Sequence, residues 1–216
     1  TVTLCSPEMD GEHKVTVKRI DDGRVSNWMN SSLTVGDTLH TMRPAGVFVL
    51  QPRATPVVLF GAGSGVTPVI SLLKSALATT QRPVTLVYAN RDRDSIIFRS
   101  ELDDLAARFP ERLRILHRLD VEDGFIDADA VRGYIGEALD ADFYVCGPTA
   151  FMDTVESTLD ALAIDRSQIF VERFVSLHDE DGDVAPGEVR EAGDATPATI
   201  TVTLDGERKE IAYAAG

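Results

Sequence analysis

Between residues 56 and 174, short apolar runs alternate with segments in which apolar residues recur at helical spacing. The apolar runs predict strands at Val57–Phe60, Val84–Asn90, Leu113–Leu119, Asp142–Cys146 and Gln168–Phe174. The periodic segments predict helices over Pro68–Ala78, Ser100–Phe109 and Asp127–Leu139, and a last helix containing Phe151, Val155, Leu159 and Leu162. Such alternation is typical of a parallel α/β sheet.

Local signals refine two of these helices. Thr67 is a good N-cap and Pro68 suits a first helical turn, which predicts where the first helix begins. Ser100 and Asp103 have the spacing of a capping box, and Pro110 predicts the end of that helix.

The segments on either side of the predicted sheet domain, residues 53–176, have other patterns. Residues 1–52 predict short strands and one hint of helix at Val25–Ser31, consistent with part of a β-barrel. Residues 177–198 contain seven acidic side chains and almost no apolar periodicity, which predicts a linker. Residues 199–216 alternate around Asp205-Gly206, which predicts a terminal hairpin.

Composition then excludes several classes of protein. The net charge of −14 argues against a nucleic-acid partner, although part of it lies in the predicted linker. We find no signal peptide and no run of about eighteen apolar residues, and we expect a cytoplasmic protein with no membrane partner. Cys5 and Cys146 are too few for a disulfide framework, and no His or Cys spacing predicts a metal site.

The first predicted strand runs into a glycine-rich turn, PVVLFGAGSGVTP, over residues 56–68. Glycines allow a tight turn and a close approach of the backbone to a ligand. A strand, such a turn and a helix N-terminus together form an anion site suited to a dinucleotide pyrophosphate. The common dinucleotide fingerprint has glycine where Val66 stands, and a plain strand-to-helix turn is the alternative interpretation.

A second strand, turn and helix follow at Tyr144-Val145-Cys146-Gly147-Pro148. This segment is predicted to bring the Cys146 thiol to the carboxyl edge of a parallel sheet, where α/β proteins bind ligands. A single cysteine in a buried strand is also a common core residue, so Cys146 alone leaves both interpretations open.

In this order the two turns resemble the ferredoxin–NADP⁺ reductase superfamily, which has GxGxTP after one strand and CGP after a later strand. The resemblance extends from Thr1 to about Ser176. The other matching segments are Val15–Arg19 (VxVKR), Gly23–Trp28 (GxxSN), Pro44–Phe48 (PxGxF), Tyr88–Asp92, Asp94–Phe98 and Glu172–Phe174. The resemblance implies a flavin-binding barrel followed by an NAD(P)-binding sheet domain.

The resemblance also implies the residues of the site. Its catalytic residues would be Thr3 near flavin N5, Thr67 at the nicotinamide edge, Cys146 near the nicotinamide C4, and Glu172. Its cofactor-binding residues would be Thr3, Val17, Lys18, Val25, Ser26, Asn27, Phe174, Gly61, Ala62, Gly63, Ser64, Gly65, Thr67, Arg91, Asp92, Cys146, Gly147, Pro148 and Met152. Phe174 would cover the flavin, although core packing is an equally open role for a large aromatic side chain.

The implied activity is a flavin-dependent reductase that passes electrons from NADH through FAD to a [2Fe–2S] centre and on to a partner oxygenase. Residues 199–216 resemble the first hairpin of a plant-type ferredoxin domain, whose cluster ligands would follow Gly216. This order of domains resembles oxygenase reductase components of the 3-ketosteroid 9α-hydroxylase or phenylacetyl-CoA epoxidase type. A flavohaemoglobin-like reductase and a non-catalytic electron carrier or redox sensor are the alternatives.

Two departures affect the cofactors. Asp92 and Asp94 would repel a 2′-phosphate, which favours NADH over NADPH, although the neighbouring Arg91 and Arg93 have the charge to bind one. Val2 stands where the superfamily has a flavin-stacking tyrosine, and we expect half of the barrel to precede residue 1. We therefore expect residues 1–216 to bind FAD weakly.

Overall fold

A computed structural model describes residues 4–6, 13–39, 41, 46–174, 198–204 and 207–213. The chain divides into two compact units, Thr1–Val175 and Ser176–Gly216. The first unit contains a five-stranded sheet and the described helices, and the second contains a two-stranded sheet.

Five strands form the sheet of the first unit: β1 (Val57–Ala62), β2 (Val84–Asn90), β3 (Leu113–Leu119), β4 (Asp142–Cys146) and β5 (Ile169–Glu172). All neighbouring strands are parallel, and their order is β3-β2-β1-β4-β5. The predicted parallel sheet is therefore confirmed, with β1 two residues longer and β5 shorter than predicted. The strand order reverses between β1 and β4, and open α/β sheets bind their ligands at such a point.

The helices within the described residues are α1 (Arg24–Ser31), α2 (Val66–Thr79), α3 (Arg99–Arg108), α4 (Asp120–Asp123), α5 (Ala128–Ile135) and α6 (Thr149–Ala161). Helices α2 and α3 cover one face of the sheet, and α5 and α6 cover the other. Every residue of β1 is buried, because this central strand has helices on both faces. Burying one large apolar side chain stabilises a fold by about 1.5–3 kcal/mol, so these two layers hold the sheet in place.

The predicted start of α3 and the predicted end of α5 are wrong. Ser100 does not cap α3, because the N-cap position is Phe98, which has a φ of +60° and makes no side-chain cap. Phe98 packs against the core on the α2 side, and this packing rather than a hydroxyl cap sets the start of α3. Helix α5 begins at Ala128, one residue after the predicted start, because Asp127 is its N-cap, and it stops at Ile135, since Gly136 has a φ of +57°.

Tyr144 on β4 holds the segment that enters the sheet. Its hydroxyl accepts a hydrogen bond from the Gln51 amide at 2.9 Å and donates to the Val49 carbonyl at 3.3 Å. Its ring contacts Phe48 edge-on and stacks on Phe170 at 4.8 Å. The segment predicted as a domain boundary is thus fixed to the sheet.

A buried ion pair closes the amino edge of the sheet. Arg82 and Asp142 lie 2.5 Å apart, with 3% and 0% of their side chains exposed. Arg53 reaches the other Asp142 oxygen at 3.0 Å, and Arg82 also donates to the carbonyls of Gln51 and Thr55. These bonds satisfy charges that would otherwise be costly to bury.

The predicted barrel is not confirmed among the described residues of 4–41. They contain one antiparallel bridge, between Leu4 and Val15, and helix α1, which confirms the helical hint. Ser71 on α2 donates to the Ser6 carbonyl at 3.2 Å, so this segment contacts the sheet domain.

The second unit contains the antiparallel strands β6 (Ala198–Leu204) and β7 (Glu207–Tyr213). Their register pairs Leu204 with Glu207, which confirms the predicted hairpin. The turn residues Asp205 and Gly206 lie outside the described residues, as do residues 177–197 of the linker predicted over 177–198. Its last residue, Ala198, begins β6 instead.

Candidate functional site

The glycine-rich turn joins β1 to α2 through a short 3₁₀ turn, Gly63–Gly65. Gly63 has a φ of +51°, a conformation that glycine adopts without strain. Its carbonyl accepts a hydrogen bond from the Tyr88 hydroxyl of β2 at 3.1 Å. Gly61, Ala62 and Ser64 complete the predicted turn, which lies at the carboxyl end of β1.

Helix α2 begins at Val66, two residues before the predicted start. Thr67 therefore lies in the first turn and is not the N-cap, which is a correction to the sequence prediction. Its hydroxyl donates to the Ser64 carbonyl at 3.0 Å, and only 4% of the residue is exposed. The N-cap position is Gly65, which has no side chain to cap the helix. The Val66 amide donates to the Gly63 and Ser64 carbonyls, and Pro68 has no amide hydrogen, so few amides of this first turn are left for an anion.

The second turn follows β4 directly beside the first. Cys146 at the end of β4 lies opposite Gly61 of β1, and Gly147 and Pro148 lead into α6. A β-carbon at Gly147 would stand 2.8 Å from the Ala62 side chain, and one at Gly65 would stand 2.7 Å from the Gly147 amide nitrogen. The two turns therefore form one continuous surface, which only glycine at these positions allows.

Cys146 holds a neutral thiol. The residue is completely buried, and burial, aided by the nearby charge of Glu172, raises the pKa of the thiol to about 12. A nucleophilic cysteine needs a lowered pKa and partial exposure. Cys146 is therefore suited to packing and positioning at the sheet edge and not to thiolate chemistry.

The end of β5 lies beside Cys146. Glu172 is the register partner of Cys146 across the β4–β5 pair and is half-buried. The next residue, Arg173, bonds Asp153 at 3.2 Å and also Glu156 on α6, which fixes the strand end. Phe174 is half-buried and packs against the core on the α2 side, and its predicted role as a cover for the flavin stays a prediction.

Asp92, at the end of β2, is occupied by local bonds. Its Oδ1 accepts from the Ser95 amide at 2.9 Å and from the Ser95 hydroxyl at 2.6 Å, and its Oδ2 accepts from Arg91 Nε at 2.9 Å. These hydrogen bonds lower the pKa of Asp92 to about 2, and the one from the Ser95 hydroxyl has the largest effect. Asp92 therefore stays ionised and neutralises Arg91, so the pair presents little net charge to a ligand.

The residues before β1 contribute one cation to the turn. The Lys18 ammonium lies 3.9 Å from the point where a β-carbon of Gly63 would stand. The neighbouring Val17 is half-buried, and its carbonyl accepts from Asn30 at 3.2 Å. Lys18 thus adds positive charge beside the N-terminus of α2.

Helix α1 offers a second helix N-terminus. The Val25 and Ser26 amides lie in its first turn, whereas the Asn27 amide already donates to the Gly23 carbonyl at 3.0 Å. The Ser26 hydroxyl donates to the same carbonyl, and the Asn27 side chain donates to the Ile20 carbonyl at 3.1 Å. These side chains hold the loop before α1, and contact with a flavin stays a prediction.

Thr3 and Met152 are two further predicted site residues. Thr3 lies outside the described residues. Met152 is 2% exposed and packs in the core between α6 and the sheet, so its predicted cofactor contact stays a prediction.

Two residues of β2, Tyr88 and Asn90, were not predicted as site residues. Burial, opposed mainly by the hydrogen bond from the Ile97 amide, raises the pKa of Tyr88 to about 12, so its hydroxyl is neutral. The available signal was their spacing of two residues on a predicted strand, which puts both side chains on one face. The contact of the Tyr88 hydroxyl with Gly63 depends on strand order, which the sequence does not show.

Among the residues that the structure describes, no group of three or more His, Cys, Asp or Glu side chains forms a metal site. The same part of the chain contains no helix that is long and apolar enough to cross a bilayer.

Comparisons with known proteins agree with this geometry. Residues 59–157 match a family model described as an oxidoreductase NAD-binding domain. The FAD/NAD-binding domain of a nitric oxide dioxygenase from Vibrio cholerae is similar in structure, with a TM-score of 0.68 and 28% identity, over 80% of this chain and 76% of that one.

Curated relatives extend the similarity along the chain. The ferredoxin reductase component of 3-ketosteroid-9-alpha-monooxygenase from Rhodococcus rhodochrous is 43% identical over 96% of this chain and 60% of that protein. A subunit of the 1,2-phenylacetyl-CoA epoxidase from Escherichia coli K12 is 33% identical over 97% of this chain and 61% of that protein. The chain thus spans about 60% of the length of these relatives.

Proposed function

Since the chain belongs to the NAD-binding oxidoreductases of the ferredoxin–NADP⁺ reductase superfamily, we propose that it is a flavin-dependent reductase that takes electrons from NADH. The observation that carries the proposal is the continuous surface of the two turns, at the point where the strand order reverses. Nucleotides bind parallel α/β sheets at this position because the strand ends and helix N-termini converge there.

The residues present fit a dinucleotide. The positive end of the α2 dipole lies at the glycine turn, and the Lys18 ammonium beside Gly63 adds a positive charge for a diphosphate. Gly65 and Gly147 leave open the space that β-carbons would fill. The diphosphate would therefore lie on the β1 turn, and the nicotinamide would lie towards β4 and Cys146.

When bound, NADH would supply a hydride and FAD would accept it. The side chains of this site would orient and shield the nicotinamide. The Thr67 hydroxyl has its proton committed to Ser64, so it would act as an acceptor. The buried neutral Cys146 thiol would pack near the ring without adding charge, and the half-buried Glu172 would supply a negative charge nearby.

For FAD, the support is the N-terminus of α1, where the Val25 and Ser26 amides suit a phosphate. The half-buried Phe174 lies beside the end of β5, which is the position that a flavin-covering aromatic would need. The nucleotide-binding half of the site rests on described geometry, and the flavin half rests mainly on the resemblance of Val15–Arg19 and Gly23–Trp28.

We propose that the final electron acceptor is a partner oxygenase like the 3-ketosteroid-9-alpha-monooxygenase after which one relative is named. The alternative acceptor is a phenylacetyl-CoA epoxidase, after which the other relative is named. A [2Fe–2S] centre does not fit the cysteines of this chain, since Cys5 and Cys146 are both buried in the first unit. The hairpin β6–β7 is consistent with the start of a ferredoxin domain in the full-length protein.

The test is oxidation of NADH by ferricyanide, with the absorbance spectrum of the full-length gene product. We expect flavin bands, a [2Fe–2S] signature and NADH-dependent reduction of ferricyanide. A haem spectrum would point to a flavohaemoglobin-like protein, and binding of NADH without any turnover would point to a carrier or sensor. Either result would refute the proposed reductase.

A further inference from the structure

The Tyr88 hydroxyl joins the glycine turn to the segment after β2 from inside the fold. Tyr88 is completely buried on the α2 side of the sheet and is the register partner of Gly61 on β1. Its hydroxyl accepts a hydrogen bond from the Ile97 amide at 3.2 Å and donates its single proton to the Gly63 carbonyl at 3.1 Å. Burial raises the pKa of Tyr88 to about 12, so the hydroxyl keeps this proton at neutral pH.

The Gly63 carbonyl is held from two sides. It also accepts a hydrogen bond from the Val66 amide of α2, so both of its lone pairs are used. In a planar trans peptide the N–H points away from the C=O, and the Ser64 amide therefore faces away from Tyr88. A 3₁₀ turn uses amides only from its third residue onward, so the amide of Ser64, its second residue, is free of the turn's own hydrogen bonds.

A ligand has access to this peptide. Gly63 and Ser64 are half-buried, whereas Gly65 and Val66 behind them are buried. The Lys18 ammonium, 3.9 Å from the point where a β-carbon of Gly63 would stand, brings positive charge beside the same peptide. Since few amides of the first turn of α2 are left for an anion, the Ser64 amide is a donor that a diphosphate can use.

Glycine alone does not fix the direction of this amide. Gly63 has a φ of +51°, and a residue without a β-carbon can turn its peptide over at little cost. The hydrogen bond from Tyr88 opposes that rotation, and the Ile97 amide opposes rotation of the hydroxyl towards another acceptor. A donor that is already ordered in the free protein binds its ligand with a smaller loss of entropy.

We propose that Tyr88 is a positioning residue of the nucleotide site, whose hydroxyl holds the Gly63–Ser64 peptide in the orientation in which the Ser64 amide donates to the diphosphate. This inference rests on the proposed NADH site and assigns the geometry of its glycine turn to a side chain of the neighbouring strand. Tyr88 is buried and touches no nucleotide itself. Loss of the hydroxyl should therefore weaken binding of the diphosphate and spare the adenosine.

The test compares wild-type protein with Tyr88→Phe, which keeps the ring and removes the hydroxyl, in the whole chain. Affinities for ADP and for adenosine are measured by equilibrium titration, because their ratio gives the contribution of the phosphates. We expect Tyr88→Phe to weaken ADP binding by about fivefold to tenfold and adenosine binding by less than about twofold. A loss of the same size for both ligands would overturn the inference, as would an unchanged affinity for ADP.

Tyr144→Phe is the matched control. Tyr144 is also completely buried, and its hydroxyl likewise accepts from one amide, that of Gln51, and donates to one carbonyl, that of Val49. Both variants should lower Tm to a similar extent, because each removes the same two kinds of hydrogen bond. The ratio of ADP to adenosine affinity should change in Tyr88→Phe alone, and an equal change in Tyr144→Phe would show a general loosening of the sheet instead of a positioning role.

The wild-type protein provides a measurement that remains decisive if Tyr88→Phe does not fold. We expect the amide NMR signal of Ser64 to shift when ADP binds and to stay in place when adenosine binds. A Ser64 signal that does not respond to bound ADP would overturn the inference. Absence of ADP and NADH binding in the wild-type chain would instead refute the proposed nucleotide site itself.

Discussion

Gly65 packs directly against the main chain of Cys146, across the gap between β1 and β4. A β-carbon at Gly65 would overlap the Cys146 carbonyl, and it would also stand 2.7 Å from the Gly147 nitrogen. Gly61 is the register partner of Cys146, so β1 and β4 reach the same edge of the sheet side by side. Two turns far apart in the chain thus form one surface.

We predict that Gly65→Ala disrupts this surface. The added methyl group meets backbone atoms of Cys146 and Gly147, which cannot move as a side chain would, so we expect a loss of about 1–3 kcal/mol of stability and at least tenfold in NADH affinity. Urea unfolding and NADH titration measure the two effects. Gly133→Ala on α5 is the matched control, since a β-carbon there meets nothing within 4 Å and should be neutral or stabilising.

Cys146→Ala should lower the turnover of NADH with ferricyanide more than it weakens NADH binding. The proposed role of Cys146 is to align the nicotinamide for hydride transfer, and loss of an interaction that matters mainly in the transition state lowers kcat. Stopped-flow reduction and equilibrium titration separate the two quantities. Unchanged turnover would show that Cys146 is not a site residue. Cys5→Ala is the control, because Cys5 is also buried but hydrogen-bonds Lys14 and Thr16.

Stability should fall at alkaline pH. Burial raises the pKa of both Cys146 and Tyr88 to about 12, so the unfolded chain releases these protons at lower pH than the folded protein. Below about pH 9 these two groups are protonated in both states and do not change the free energy of unfolding with pH. As the pH rises towards 12, each group lowers the free energy of unfolding by up to about 1.4 kcal/mol per pH unit. Urea titrations at pH 8 to 11 should give a shallower decline for Cys146→Ala, and equal slopes would contradict the assignment.

Asp92 should influence the choice between NADH and NADPH through its charge. Asp92→Asn keeps an oxygen to accept from Ser95, removes the negative charge and frees Arg91 for a 2′-phosphate. We expect the kcat/KM ratio of NADPH to NADH to rise by about threefold or more. Asp92→Ser also removes the negative charge but loses the hydrogen bond that the Asp92 side chain accepts from the Ser95 amide. A change of the kcat/KM ratio in Asp92→Ser alone would therefore indicate disorder of the loop. An unchanged ratio in both variants would show that Asp92 does not affect ribose recognition.

The Arg82–Asp142 pair should contribute strongly to stability. Asp142→Asn leaves the buried Arg82 guanidinium without its anion, and we expect a loss of about 3–5 kcal/mol in urea unfolding. The exposed pair of Arg166 and Asp160 serves as the control, and Asp160→Asn should change stability by less than about 1 kcal/mol. Similar losses in both variants would mean that burial does not govern the strength of these pairs.

The sequence by itself determined the class of fold and the two turns. Apolar runs and helical periodicity predicted β2, β3 and β4 to the residue. Strands β2 and β4 are buried on both faces and need nearly continuous apolar side chains, whereas the edge strand β3 is only partly buried. Gly61–Gly65 and Cys146–Pro148 were identified from local chemistry, since glycine and proline restrict the backbone in ways that a sequence shows directly. The hairpin of the second unit was predicted for the same reason.

Only the tertiary structure decided how these parts act together. Strand order brought the two turns into contact, and no local pattern encodes which strands are neighbours. Packing of Phe98 moved the start of α3, and the Ser64 carbonyl took the Thr67 hydroxyl that local preference assigned to a helix cap. The partners of the Tyr88 hydroxyl appeared only once its surroundings were known, because a hydrogen-bond partner on another segment is a property of the folded chain and not of a residue type.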